Sequence, residues 1–133
     1  MAAAHQQVTR DWWITRQSFD LFASQFVLDE ASAGDEGAAA RRLAALADVV
    51  VLEVTENAIL LAERLIAGGG LPAEARVDAL HVAMAAVHGM DYLLTWNCRH
   101  IANATLRGKI EGLCREAGFE PPIICTPLEL PKE

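Results

Sequence analysis

Two kinds of hydrophobic pattern alternate along this chain, and together they predict short strands separated by helices. Four short apolar runs predict strands. The run Tyr92–Thr95 has no polar alternation, which is typical of a strand buried on both faces of a parallel sheet, whereas the prolines that open Pro121–Cys125 suit an edge strand. Longer segments with apolar residues at helical spacing lie between these runs, and several end at glycine. The pattern therefore predicts one α/β domain with a mainly parallel sheet. The predicted strands are Leu21–Ser24, Val49–Leu52, Tyr92–Thr95 and Pro121–Cys125.

The predicted helices take their ends from glycines and from residues suited to a first turn. Pro72 suits a first turn because its missing N–H would be unpaired there, and Glu74 lies where the helix dipole favours an anion. From Val77 to Val87 the helix that follows is apolar almost all round, as expected of a crossover helix packed on a sheet. The predicted helices cover residues 2–17, 25–33, 37–47, 55–67, 71–88 and 105–117.

One acid, Asp78, lies in the otherwise apolar beginning of that crossover helix. In a right-handed βαβ unit each strand ends and each helix begins at the carboxyl edge of the sheet. Asp78 and the loop around Asn97 should therefore approach the same edge, and so should Asp29 and Glu30 in a first helical turn. A buried unpaired carboxylate is costly, so Asp78 needs a cation or a shared proton. For Asp29 and Glu30, a simple complement to the helix dipole is an equal alternative.

A longer motif surrounds Asp78. The chain reads Asp-Ala-Leu-His-x-Ala from Asp78, and then Gly-x-Asp-Tyr-Leu-Leu-Thr-Trp-Asn-x-Arg-His-Ile-Ala-Asn from Gly89 to Asn103. This pattern resembles the second half of PIN domains, specifically the VapC-like toxins of toxin-antitoxin systems. The resemblance implies a PIN-like three-layer α/β/α sandwich and an endoribonuclease that depends on Mg²⁺ or Mn²⁺. It also implies RNA as the substrate and a cognate antitoxin protein as a partner, and we expect a homodimer.

The resemblance gives roles to the residues at matching positions. Asp78 is the leading metal ligand, and Glu30 is the second, either as a ligand or as a residue that orients the attacking water. Asn97 occupies a place where many PIN domains carry an aspartate, and its carbonyl could still ligate a metal or a metal-bound water. Thr95 could hydrogen-bond such a water or cap the loop. Divalent ions suit this reaction because they neutralise phosphate charge and lower the pKa of a bound water.

Basic residues near the acidic edge could form a positive rim that receives the RNA backbone, which would make binding sensitive to salt. The plain alternative is that scattered arginines only solubilise the surface. His81 lies three residues after Asp78 on the same helical face, where we expect it to bond a carboxylate or to belong to the core. A zinc site is disfavoured because suitable ligands do not converge in sequence. The candidates for the rim are Arg76, Arg99, His100 and Arg107.

Two features depart from the family pattern. PIN domains open with a strand that ends in an acidic residue, whereas this chain begins Met-Ala-Ala-Ala-His-Gln-Gln. That strand lies in the middle of the family's sheet, so without it we expect unpaired backbone groups and an apolar gap. Asn97 in place of an aspartate is the second departure. Both departures favour the alternative of a catalytically inactive PIN-like module that binds RNA or an antitoxin.

Composition sets outer limits on these hypotheses. A chain of 133 residues suits one domain, and its net charge of −7 argues against binding nucleic acid over the whole surface, although a local basic rim stays possible. Three cysteines without a Cys-x-x-Cys pair indicate neither a disulfide framework nor a zinc ribbon. No signal-peptide pattern and no apolar run of about 20 residues is present. We therefore expect a soluble protein of the reducing cytoplasm.

Overall fold

The computed structural model describes residues 21–47, 49–94 and 104–125. The helix predicted over residues 2–17 lies outside these ranges, as do Thr95, Asn97, Arg99 and His100. Every strand prediction is confirmed to within two residues in the described ranges, and the chain is of the mixed α/β class. In chain order the elements are β1 (Phe22–Ser24), α1 (Gln25–Ala31), α2 (Glu36–Ala45), β2 (Val50–Leu52), α3 (Glu56–Ala67), α4 (Arg76–Val87), β3 (Tyr92–Leu94), α5 (Ala104–Glu116) and β4 (Ile123–Cys125).

The four strands form two parallel pairs. β1 pairs with β2 so that Phe22 lies opposite Val50, and β3 pairs with β4 so that Tyr92 lies opposite Ile123. Within the described ranges no further strand joins the two pairs into one sheet. The parallel pairing agrees with the predicted α/β class, whereas the PIN-like three-layer sandwich stays a prediction.

The hydrophobic core lies mainly among α3, α4 and α5, with β4 against it. α4 is buried on several sides, which confirms the prediction of a buried helix, whereas its role as a crossover between strands of one sheet stays a prediction. Most of its buried positions are alanine, and small side chains let a neighbouring helix approach closely. The side chains with relative exposure of 1% or less include Ala58, Leu61, Leu65, Ala79, Val82, Ala83, Ile110 and Cys114.

The glycine run after α3 both ends that helix and makes room for α5. Gly69 has a φ of +80°, in the left-handed region that favours glycine. A Cβ atom on Gly68 would lie only 2.5 Å from the Cδ2 atom of Leu113 in α5. The run therefore has a packing role in addition to the predicted helix-ending role.

α4 begins at Arg76, five residues later than predicted. The N–H groups of Gly70 and Leu71 donate to the carbonyl of Leu65 at 2.9 and 3.2 Å. Because these bonds still close α3, Leu71 belongs to the end of α3 and does not open α4. Pro72 then lies in a turn between the two helices. The prediction that Leu71 starts the helix and that Pro72 lies in its first turn is therefore wrong.

α1 begins at Gln25, directly after β1 and as predicted, so Asp29 and Glu30 lie beyond its first turn. The hydroxyl of Ser24 accepts the N–H of Val27 at 3.4 Å, a contact of the kind that caps a helix start. The helix consequently has no acidic residue in its first turn. Asp29 instead accepts a hydrogen bond from the side-chain amide of Gln25 at 2.9 Å. The predicted first-turn position of Asp29 and Glu30 is therefore wrong, and the dipole argument does not apply to them.

Arg42 in α2 holds the carboxyl end of α1. Its guanidinium donates to the carbonyl of Ala31 at 3.0 Å and to that of Ala33 at 2.6 Å. A helix end otherwise leaves such carbonyls without a helical partner. We expect Arg42→Gln to lower the free energy of unfolding by about 1 kcal/mol, since both bonds are charge-assisted but only the one to Ala31 is part-buried. Urea denaturation measures the change, and Arg41→Gln on the same helix is the control; an equal loss in both variants would contradict this role.

The two cysteines in the described ranges, Cys114 and Cys125, are buried and are not joined by a disulfide. Burial raises the pKa of the Cys114 thiol from 9.0 to about 11, and the charge of Arg115 offsets this only in part. Because the folded state favours the neutral thiol, its contribution to stability is fully present below pH 9.0 and is lost as the pH rises towards about 11.

The raised pKa makes Cys114 a poor nucleophile in the folded protein. We expect iodoacetamide at about pH 8.5 to modify Cys114 at least about 10-fold more slowly in the native chain than in urea, because the thiolate is the reactive form and the side chain is buried. Mass spectrometry of the peptide that contains Cys114 measures the rate. Equal rates in buffer and in urea would contradict the buried position.

Candidate active site

The candidate site is built on one side of α4. Asp78 and His81 are three residues apart, and His88 follows His81 after seven more, a spacing that keeps all three on one side of a helix. Asp78 lies in the first turn of α4, and His88 caps its carboxyl end. Asp78 is half-buried, so solvent still reaches this side of the helix.

His81 places this side of α4 against the start of α1. The rings of His81 and Phe26 have centroids 6.3 Å apart and planes at 83°, an edge-to-face contact of the kind that aromatic rings prefer. Phe26 follows the last residue of β1, Ser24, by only two positions. His81 therefore lies close to the carboxyl end of β1.

His88 makes the corresponding contact at β2. Its Nε2 atom is 2.7 Å from the backbone carbonyl of Glu53, the first residue after β2. A carbonyl oxygen can only accept, so this nitrogen donates the hydrogen. α4 thus contacts residues one or two positions after the ends of β1 and β2. This is the edge at which open α/β sheets commonly bind ligands.

The predicted metal ligands are only partly placed by the structure. Asp78 lies on α4 as described, and Glu30 belongs to α1, one helical turn beyond Phe26. Asn97, Thr95 and the side chain of Glu30 lie outside the part of the chain that the structure describes. Among the side chains that are described, no group of three or more His, Cys, Asp or Glu residues could hold a metal ion. Carboxylate and amide oxygens suit a hard ion such as Mg²⁺, but the described residues do not by themselves complete its site.

The predicted basic rim is also only partly described. Arg76 is exposed and lies two residues before Asp78 at the start of α4. Arg107 is half-buried, and its Nη1 atom donates to the carbonyl of Ile124 at 3.1 Å, which ties α5 to β4. Arg99 and His100 lie outside the described ranges. Arg107 therefore has a structural contact that the sequence pattern did not indicate.

Sequence reasoning missed the partners of the two histidines. Neither Phe26 nor the carbonyl of Glu53 stands out in the sequence, because each becomes a partner only when α4 packs across the strand ends. The sequence pattern indicates no partner for His88 within the chain. Its position just before Gly89, which has a φ of +72°, is the one local signal that it closes a helix.

Comparison with known proteins identifies no relative: no family model, curated protein or solved structure matches this chain. The structure itself defines the class: an α/β chain with two parallel strand pairs, in which the two histidines of one helix contact residues at the strand ends. In the described part of the chain, no helix has both the length and the apolar character needed to cross a membrane. The PIN-domain assignment stays a prediction that depends on the motif from Asp78 to Asn103.

Proposed function

We propose that this chain is a metal-dependent endoribonuclease of the VapC toxin type, which acts in the cytoplasm and is controlled by a cognate antitoxin. One structural observation supports the proposal. The helix that carries Asp78 contacts, through His81 and His88, residues one or two positions after the ends of β1 and β2. The motif acid is thus on a helix at the carboxyl ends of parallel strands, where its chemistry would be used.

In this proposal three oxygen-bearing side chains hold Mg²⁺ or Mn²⁺: Asp78, Glu30 and Asn97. The bound ion supplies charge neutralisation at the phosphate and a water of lowered pKa. Thr95 orients that water or caps its loop. His81, packed on Phe26, positions the turn of α4 that follows Asp78. The RNA phosphates are received by Arg76, Arg99, His100 and Arg107.

The second candidate is a PIN-like module without catalytic activity that binds RNA or an antitoxin. The observation that favours it is the amide at Asn97, because an amide carries less charge than the aspartate that many PIN domains have there. RNA binding without hydrolysis is what distinguishes this candidate.

The experiment is RNA cleavage by the purified full chain in Mn²⁺, with and without a metal chelator. We expect internal cleavage of a mixed RNA substrate that stops with the chelator and returns when excess Mn²⁺ is added. Equal cleavage in the presence of the chelator would exclude a metal site and would indicate a contaminating nuclease. Binding measured by fluorescence anisotropy without any cleavage would favour the inactive module.

A further inference from the structure

Side chains hold the backbone on both sides of Glu30 in α1. On one side, the hydroxyl of Ser32 donates to the carbonyl of the residue just before Glu30 at 2.8 Å. On the other side, the guanidinium of Arg42 in α2 donates to the carbonyls of Ala31 and Ala33 at 3.0 and 2.6 Å. The last turn of α1, which includes Glu30, is therefore fixed through its carbonyl oxygens.

α1 is too short to be stable through its own hydrogen bonds. It has seven residues, and isolated helices shorter than about 12 residues are marginal in water. Its geometry therefore depends on contacts with other elements. Near its start, Phe26 contacts the ring of His81 in α4 and packs against the hydrophobic core. At its end, Arg42 bonds carbonyls that a helix end leaves without a helical partner. α1 is thus connected to α4 near one end and to α2 at the other.

Arginine suits the position of Arg42 because its planar guanidinium group carries several donors in a fixed fork, so one side chain can bond two carbonyls at once. A lysine side chain has a single nitrogen, and a glutamine side chain has no charge. The bond to Ala31 is part-buried, and Ala31 itself is only 8% exposed. Loss of this bond would leave a carbonyl of the last turn with less access to water than an open surface gives.

We propose that Arg42 is a positioning residue for Glu30: it keeps the last turn of α1 wound and so holds the backbone of Glu30 in a fixed place relative to α4, which carries Asp78. The inference rests on the proposed function, in which Glu30 and Asp78 act together. Arg42 acts only through the backbone of α1. A displacement of about 1 Å in an active site can cost about 100-fold in rate, so a loosened turn should slow cleavage while the chain stays folded.

Steady-state RNA cleavage in Mn²⁺ by the full chain separates positioning from RNA contact. Arg42→Gln should reduce kcat about 10-fold and change KM for RNA less than about 3-fold, at a temperature where thermal unfolding shows the variant to be folded. Arg42→Lys should lose less, because lysine restores the charge and one of the two bonds. The control Arg41→Gln, with the same charge change on the same helix, should alter kcat less than about 2-fold. A raised KM with unchanged kcat, or an equal loss in the control, would overturn the inference.

A cycle of single and double substitutions tests whether Arg42 acts through Glu30. Glu30→Gln should itself reduce kcat at least about 10-fold, and adding Arg42→Gln should cause less than about 3-fold further loss, because the side chain that Arg42 positions is already impaired. A role in overall stability alone predicts the same further loss in both backgrounds. Full additivity, or an unchanged kcat in Glu30→Gln, would overturn the inference alone. An unmodified chain without chelator-sensitive cleavage would overturn the proposed function and the inference with it.

Hydrogen exchange measures the positioning without RNA or metal. The amide of Ser32 donates to the carbonyl of Leu28 at 3.0 Å, at the end of α1. In Arg42→Gln this amide should exchange at least about 10-fold faster than in the unmodified chain. The internal control is the amide of Ala39, which donates to the carbonyl of Asp35 at 2.8 Å in α2 and should change less than about 3-fold. Unchanged exchange at Ser32, or equal acceleration at both amides, would overturn the inference.

Discussion

Asp78→Asn should reduce Mn²⁺-dependent RNA cleavage at least about 100-fold, with little change in the melting temperature. The substitution keeps the size of the side chain but removes the negative charge that the proposed ion requires. Loss of a few kcal/mol of charge stabilisation in the transition state corresponds to a rate change of this order. Asp78 is half-buried in the first turn of α4, so the variant should remain folded. Initial cleavage rates at saturating Mn²⁺, with thermal unfolding as a check, measure the effect.

The matched control for this variant is Asp29→Asn. Asp29 is an exposed acid on α1 whose carboxylate accepts a hydrogen bond from Gln25. The change in net charge is the same, so nonspecific electrostatic effects on RNA binding are equal in the two variants. We expect less than about a 3-fold change in rate for Asp29→Asn. Similar rate losses in both variants would remove Asp78 from the proposed metal site.

Leu65→Ala should lower the free energy of unfolding by about 3 kcal/mol. Leu65 is fully buried at 0% exposure in the core among α3, α4 and α5. Truncation removes apolar contacts and leaves a cavity, and such changes in well-packed cores cost about 2–5 kcal/mol. The carbonyl of Leu65 also anchors the glycine run that follows α3, but the substitution leaves that carbonyl in place. Urea denaturation monitored by circular dichroism measures the change.

Leu60→Ala provides the comparison on the same helix. Leu60 is 49% exposed, so the same substitution removes less buried surface and leaves no cavity. We expect a loss below about 1 kcal/mol. A difference of less than about 0.5 kcal/mol between the two variants would show that the side of α3 that carries Leu65 does not face the core.

Helix and strand positions followed from local rules, and these rules explain both the successes and the errors. Thr55 accepts the N–H of Ala58 at 3.2 Å and begins α3 as predicted. Gly34 and Gly118 adopt positive φ after α1 and α5. The predicted start of α4 was wrong because the N–H of Leu71 still donates to the carbonyl of Leu65 at the end of α3. Residue propensities do not show that the hydrogen bonds of α3 continue this far.

The same local rules could predict only some of the residues of the candidate site. Asp78 could be singled out because a lone acid in an apolar helix start requires an explanation. The start of α1 at Gln25 agrees with the prediction, but Asp29 and Glu30 lie beyond its first turn, so their assignment to that turn was wrong. The contacts of His81 and His88 could not be inferred, because their partners are more than 30 positions away in the chain and one of them is a backbone carbonyl.

By itself, the sequence determined the class of this protein: an α/β chain whose short apolar runs become parallel strands and whose glycines end its helices. These features depend on side-chain pattern and backbone conformation within a few residues, so they can be derived without knowing what packs against them. Only the tertiary structure decided how the strands pair, that α4 lies at the carboxyl ends of β1 and β2, and that Arg107 bonds to β4 and Arg42 to the end of α1. These outcomes depend on contacts between residues distant in sequence, whose energies no local pattern contains.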